Sequence, residues 1–146
     1  MDGPSVGRIF ILLILLAGLS RGVLAEGPSV SPLPANARVS RGQFTHAISG
    51  REPVDEVAIL KNSERSIYYF SELIGLQGRT VTHRWEYQGR VVSEVRFQVG
   101  GPRWRVFSHK TLDPRMTGRW SLVVVDESGW PLYVSRFDYR EAEAEE

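Results

Sequence analysis

The chain reads as an all-β protein, an immunoglobulin-like two-sheet antiparallel β-sandwich of about seven strands, and three observations predict it. Beyond residue 38 no stretch of helical length keeps an apolar period of 3.6. Short runs rich in Val, Ile, Tyr, Phe and Trp recur in its place, each bounded by Gly, Pro or Asp. Seven such runs within about 100 residues fit the strand spacing of a sandwich.

Taken in order, the chain opens with Arg8 ahead of an 11-residue apolar run, 9–19, and "VLA" at 23–25 offers small residues where a signal peptidase cuts. A spanning helix needs about 20 apolar residues, and Arg21 interrupts any extension. Residues 1–25 therefore read as a secretory signal, with a retained N-terminal anchor as the alternative. No membrane span is expected after cleavage. Residues 26–37 carry three prolines and no apolar period, the pattern of an extended, disordered linker. Strands are expected near 39–48, 65–73, 79–87, 91–99, 103–109, 119–126 and 132–139 within one domain, 38–140. The long connection 51–64 has room for a helical turn or a short edge strand. "EAEAEE", 141–146, is an acidic, disordered tail.

Composition narrows the functional classes. With no cysteine in the chain, export brings no disulfide, and no thiolate is present to bind metal or act as a nucleophile. Residues 38–140 hold 16 Lys and Arg against 11 Asp and Glu, a net charge of +5 where the whole chain has +1. Such an excess suits contact with an anionic surface but falls short of the basic stripe of a nucleic-acid binder.

The stretch "VTHRWEYQGRVVSEV", 81–95, tests the strand reading through its turn. A two-residue loop at Gln88-Gly89 would put the apolar sets of the two strands on opposite faces. A three-residue loop, Tyr87-Gln88-Gly89, pairs Trp85 with Val91 and Val81 with Val95, so both sets face the core. That register places His83 opposite Ser93 in an apolar stripe, as a neutral histidine satisfied by a hydroxyl or a backbone carbonyl. Thr82, Arg84, Glu86, Arg90, Glu94, Arg96 and Gln98 then form a solvated, mixed-charge face.

The run "THRWEYQGRVVSEVRFQVGGPRWRVFS", followed by "LDPRMTGRWSLVVVDESGWPL" and a closing F-x-Y, resembles the bacterial domain of unknown function 2914. The likeness extends over about residues 43–139, and His83-Arg84-Trp85, Gly100-Gly101-Pro102-Arg103-Trp104 and Thr117-Gly118-x-Trp120 carry most of it. It implies an extracytoplasmic β domain of a bacterial envelope and brings no catalytic residues. Trp130 departs from the small or polar residue that the family tends to place after the turn glycine.

Chemistry is sparse. No Gly-x-Ser-x-Gly elbow occurs, and His46, His83 and His109 are too far apart for ligand spacing, so neither catalysis nor a metal or other cofactor is expected. Glu86 and Glu94 sit beside arginines on a solvated face, which favours surface ion pairs over a raised acid. Gly100-Gly101-Pro102 lacks the following helix of a phosphate loop and reads as a chain reversal. "RWRVFSHK", 103–110, is more suggestive: Arg103, Arg105, Phe107 and His109 share the outward side while Trp104 and Val106 turn inward. Guanidinium groups grip carboxylate or phosphate, and an aromatic ring adds contact area. Trp130, between a turn glycine and a proline, is a further anchor candidate, whereas Trp85, Trp104 and Trp120 read as core. These residues predict a non-catalytic, periplasmic or secreted interaction module whose partner is an envelope protein. A carbohydrate-binding module for an anionic envelope glycan is the alternative.

Overall fold

A computed structural model describes residues 31–144. The segment 1–25 read as a signal lies outside the described residues, as do 26–30 of the linker and 145–146 of the tail. The strands are β1 (Arg38–Thr45), β2 (Ile48–Ser49), β3 (Glu52–Pro53), β4 (Ile59–Lys61), β5 (Ser66–Ile74), β6 (Thr80–Tyr87), β7 (Arg90–Gln98), β8 (Arg103–Thr111), β9 (Gly118–Val125) and β10 (Pro131–Arg140). The seven long ones lie where the alternation placed them, although β1 ends earlier than expected, at Thr45. Sheet order is β1-β5-β8 in one layer and β4-β10-β9-β6-β7 in the other, and β2 and β3 form a small hairpin. The fold is a β-sandwich, antiparallel except where β4 adds to β10 in parallel. The long connection thus supplies one strand of the hairpin, β3, and a short edge strand, β4.

Alternation fills the space between the layers. Ile67, Tyr69 and Leu73 of β5 face Val81 and Trp85 of β6, Trp120, Leu122 and Val124 of β9, and Phe137 and Tyr139 of β10, all within one core. Phe44 sits among three rings, with centroids 4.9 Å from Tyr69, 4.7 Å from Phe137 and 5.8 Å from Trp85. Trp85 and Trp120 are buried as expected. Trp104, on edge strand β8, is only partly so and packs against the margin of the core.

The β6–β7 turn corrects the expected register. Gln88 and Gly89 both have positive φ, 48° and 77°, and Tyr87 pairs with Arg90, so the loop has two residues in the conformation that matches strand twist. The face switch comes from a bulge one step later: Glu86 pairs with Val91 and Trp85 with Ser93, which leaves Val92 as the extra residue. His83 consequently lies opposite Val95, and Val81 opposite Phe97. Ser93, Val95 and Phe97 turn toward the core, while Val91 stays half exposed.

The end of the proline-rich stretch rests on the domain. Leu33 and Ala37 pack against the core, and the Arg79 guanidinium donates to the carbonyls of Ser31 at 2.6 Å and Pro32 at 2.8 Å. The tail residues 141–144 are exposed and carry no regular structure.

Candidate binding faces

His83 is fully buried between two serines, its Nε2 2.7 Å from Ser71 Oγ and its Nδ1 2.8 Å from Ser108 Oγ. The indole of Trp85 donates to the same Ser108 Oγ at 3.2 Å. The imidazole shares one hydrogen bond with each serine, so both ring nitrogens have a partner whichever one carries the proton. Tyr69 and Phe97 meet the imidazole edge-on, at 5.1 and 4.8 Å. Burial pushes its pKa from 6.5 down to about 3. The ring is a neutral tie between the two sheets, sealed from solvent.

His46 is the opposite case. At the end of β1 its Nδ1 lies 2.6 Å from Asp55 Oδ2 and its Nε2 3.2 Å from Glu64 Oε2. The Asp55 bond, then that of Glu64, holds its pKa above the ordinary range, and the same His46 contact holds Asp55 down at about 2. This pair, with Thr45 donating to Asp55 at 2.8 Å, fastens the return from the β2–β3 hairpin. The third histidine, His109, lies against Tyr68, with ring centroids 4.6 Å apart and the planes tilted by 49°. Among the described residues no group of three His, Asp or Glu could hold a metal ion.

The outer face of β8 is arranged as its alternation implies. Arg103, Phe107 and His109 are exposed and Arg105 half-buried, while Val106 and Ser108 are buried on the other side. Cross-strand pairing sets Arg105 beside Glu72, Phe107 beside Phe70 and His109 beside Tyr68. Both arginines already have carboxylate partners. Arg103 donates to Glu72 at 3.2 Å and Arg105 to Glu52 at 2.8 Å. Arg41 of β1 completes the network, with two bonds to Glu52 at 2.8 and 3.0 Å and one to Glu72 at 3.2 Å. Its guanidinium also covers Phe70, 4.8 Å from the ring centroid.

Two carboxylates thus bind three arginines. Bonds from Arg41, then Arg105, draw Glu52 down to about 2. For Glu72 burial works upward, but bonds from Ser40, Arg103 and Arg41 outweigh it and leave the group below its ordinary value. The strip is therefore a fixed lattice with one positive charge in excess, beside a Phe107 that is 40% exposed. Sequence reasoning missed Arg41, Glu52 and Glu72. Glu72 had a signal, since it follows Tyr68 and Phe70 on the outward side of its strand. Glu52 had none, because the hairpin brings it over the sheet from elsewhere in the chain.

Trp130 is 67% exposed, in a turn built on Asp126, whose Oδ1 accepts from the backbone N–H of Ser128 and Trp130, both at 2.9 Å, and from Ser128 Oγ at 2.6 Å. It lines a shallow hollow with Pro32, Leu33 and Arg79, to which none of the four β8 residues contributes. The structure therefore brings Arg103, Arg105, Phe107 and His109 together and leaves Trp130 on a separate surface.

No curated protein matches the chain. A family model described as "Protein of unknown function (DUF2914)" matches residues 78–139, which run from the start of β6 to the end of β10 and include all three short motifs that carried the resemblance. Over that stretch the chain is similar to the DUF2914 family, in agreement with the resemblance read from its residues.

Proposed function

We propose that this chain is a non-catalytic binding module exported to the bacterial cell envelope, and that the outer face of β8 is its contact surface for an envelope protein. One observation carries the reading: Phe107, the exposed aromatic of that strand, sits between Arg105 and His109, and the strand's two arginines, Arg103 and Arg105, are held in place by Glu72 and Glu52. A rigid aromatic set among guanidinium groups gives contact area without the ordering cost of free side chains. β8 is also an edge strand, so a partner has access to it from the side as well as from above. The apolar run at 9–19 and the "VLA" at 23–25 support export, and the sealed, neutral His83 supports a structural role for the one buried imidazole.

The glycan alternative rests on Trp130, whose exposed indole is the kind of platform on which a sugar stacks. The two readings now separate by residue. In affinity capture from envelope extract, replacing Phe107 and Arg103 by Ser should abolish recovery of a partner protein that Trp130→Ala still recovers. Loss with Trp130→Ala alone, together with tryptophan quenching by an acidic oligosaccharide, would favour the glycan. Capture unaffected by the β8 changes would remove β8 from consideration.

A further inference from the structure

The His83-Arg84-Trp85 motif divides between two surfaces. His83 and Trp85 turn into the core, where Ser71 and Ser108 account for them, and Arg84 projects from the outer face of the five-stranded sheet. There it lines a concavity of about 360 Å³ with Thr80, Thr82, Glu94 and Arg96, closed at one end by Asp126, Glu127 and Gly129. Val125, in register with Thr82, lines it too and is buried although it lies outside the main core.

Charge pairing sets this place apart. On the opposite sheet, Arg41, Arg103 and Arg105 each reach a carboxylate within 3.2 Å. Among the described residues Arg84 and Arg96 form no salt bridge. Glu94 is Arg84's cross-strand partner but makes no ion pair with it, and Arg96 stands opposite Thr82. The remaining acids are engaged: Asp126 caps its own turn, and Glu127 accepts from Arg79 at 2.8 Å. Moreover, Arg84 Nε is the one buried side-chain polar atom without a hydrogen-bond partner among the described residues. A buried N–H left unmatched carries a desolvation cost, which an entering acceptor would relieve. Arg84 and Arg96 are diagonal neighbours across the β6–β7 pair, about 7–8 Å apart, a separation that one multi-oxygen anion can bridge.

We infer that this concavity binds an oxyanion, a phosphate or a carboxylate carried on a small, sugar-sized body. The guanidinium groups of Arg84 and Arg96 take the charged oxygens, the hydroxyls of Thr80 and Thr82 take further polar groups, and Val125 supplies an apolar floor. The site lies on the other sheet from β8 and is independent of the proposal made for that face.

The test is an NMR titration of the purified chain, following the Nε–H resonances of Arg84 and Arg96 and the amides of Thr82 and Val125. Three probes are used: glucose 6-phosphate, glucuronate and neutral glucose. Saturable shifts of these four signals with one or both anions, and none with glucose, are expected, and the two anions show which oxyanion is preferred. Arg84→Gln should weaken binding at least about tenfold, which is about 1.4 kcal/mol. Arg84→Lys keeps the charge but loses the fork and should weaken it less, with Arg103→Ser/Arg105→Ser binding as the parent does. If neither anion moves these resonances at millimolar concentration, or if the shifts fall on β8 instead, the site is refuted. The same holds if folded Arg84→Gln binds as tightly as the parent.

Discussion

Replacing His83 by Gln should flatten the response of stability to mild acid. In the folded chain burial holds the imidazole neutral, with a pKa of about 3 against 6.5 when unfolded. The unfolded state therefore takes up a proton below pH 6.5 that the native state refuses. Because the folded value is the lower one, this contribution to stability is complete above 6.5 and is lost as pH falls toward 3. With about 1.36 kcal/mol per pKa unit, a fall from about pH 7 to about pH 5 removes roughly 2 kcal/mol through this one residue. Other groups do not mimic it. His46 has the opposite sign, its raised pKa giving stability that is complete below 6.5 and lost as pH rises through the folded value. Asp55, Glu52 and Asp113, all held near 2, act below the ordinary carboxylate range and so mainly under pH 5. Urea denaturation of parent and His83→Gln at both pH values isolates the effect as a difference of differences. Glutamine keeps a donor and an acceptor for Ser71 and Ser108, so a cost of about 1–3 kcal/mol is expected at pH 7, with a slope toward pH 5 shallower by roughly 2 kcal/mol overall. Equal slopes for parent and variant would refute the reasoning, since the imidazole would then take its proton as readily in the fold as in the unfolded chain.

Two further changes test the backbone. A Cβ at Gly42 would stand 2.3 Å from the Tyr69 hydroxyl and 2.7 Å from the Tyr133 ring, and Tyr69 is pinned by Ser135 at 2.8 Å, so Gly42→Ala should cost about 1–3 kcal/mol in thermal or urea unfolding. Gln88, held at φ 48° in the β6–β7 turn, should be replaced by Asn with a gain of a few tenths to about 1 kcal/mol in the same assay, because Asn accepts the left-handed conformation at lower cost.

The long strands were legible because their information is local. Alternation such as Ile67, Tyr69, Ser71 and Leu73 against Tyr68, Phe70 and Glu72 fixes both the strand and its faces. The β6–β7 register was not legible, although the reasoning that both apolar sets must face the core was sound. Two devices satisfy that demand, an odd loop or an even loop followed by a bulge, and hydrophobic pattern alone does not distinguish them. Here the choice lay in Gln88, a residue with no marked liking for positive φ, and in Val92, whose apolar side chain gives no hint that it is the extra residue of a bulge.

Candidate sites are harder to read for a related reason: an arginine in a sequence is a charge without a partner, and only the fold supplies one. Arg103 and Arg105 looked available from alternation alone. A hairpin from residues 48–53 and a glutamate three strands earlier in the chain bind them through contacts 53 and 31 residues away. Arg84 and Arg96 looked like ordinary solvated charge beside Glu86 and Glu94, yet among the described residues they are left without a salt bridge. On β8 the ion pairs fix the geometry of the surface and reduce its field, so a partner there is recognised mainly by shape and by Phe107. On the five-stranded sheet Arg84 and Arg96 make no salt bridge among the described residues, so anion binding by them should fall with added salt while binding at β8 changes little. Repeating the capture and the anion titration at low and high salt therefore tests whether the two faces use different physics. Equal salt dependence at both would mean that the carboxylates of β8 do not neutralise it as their distances imply.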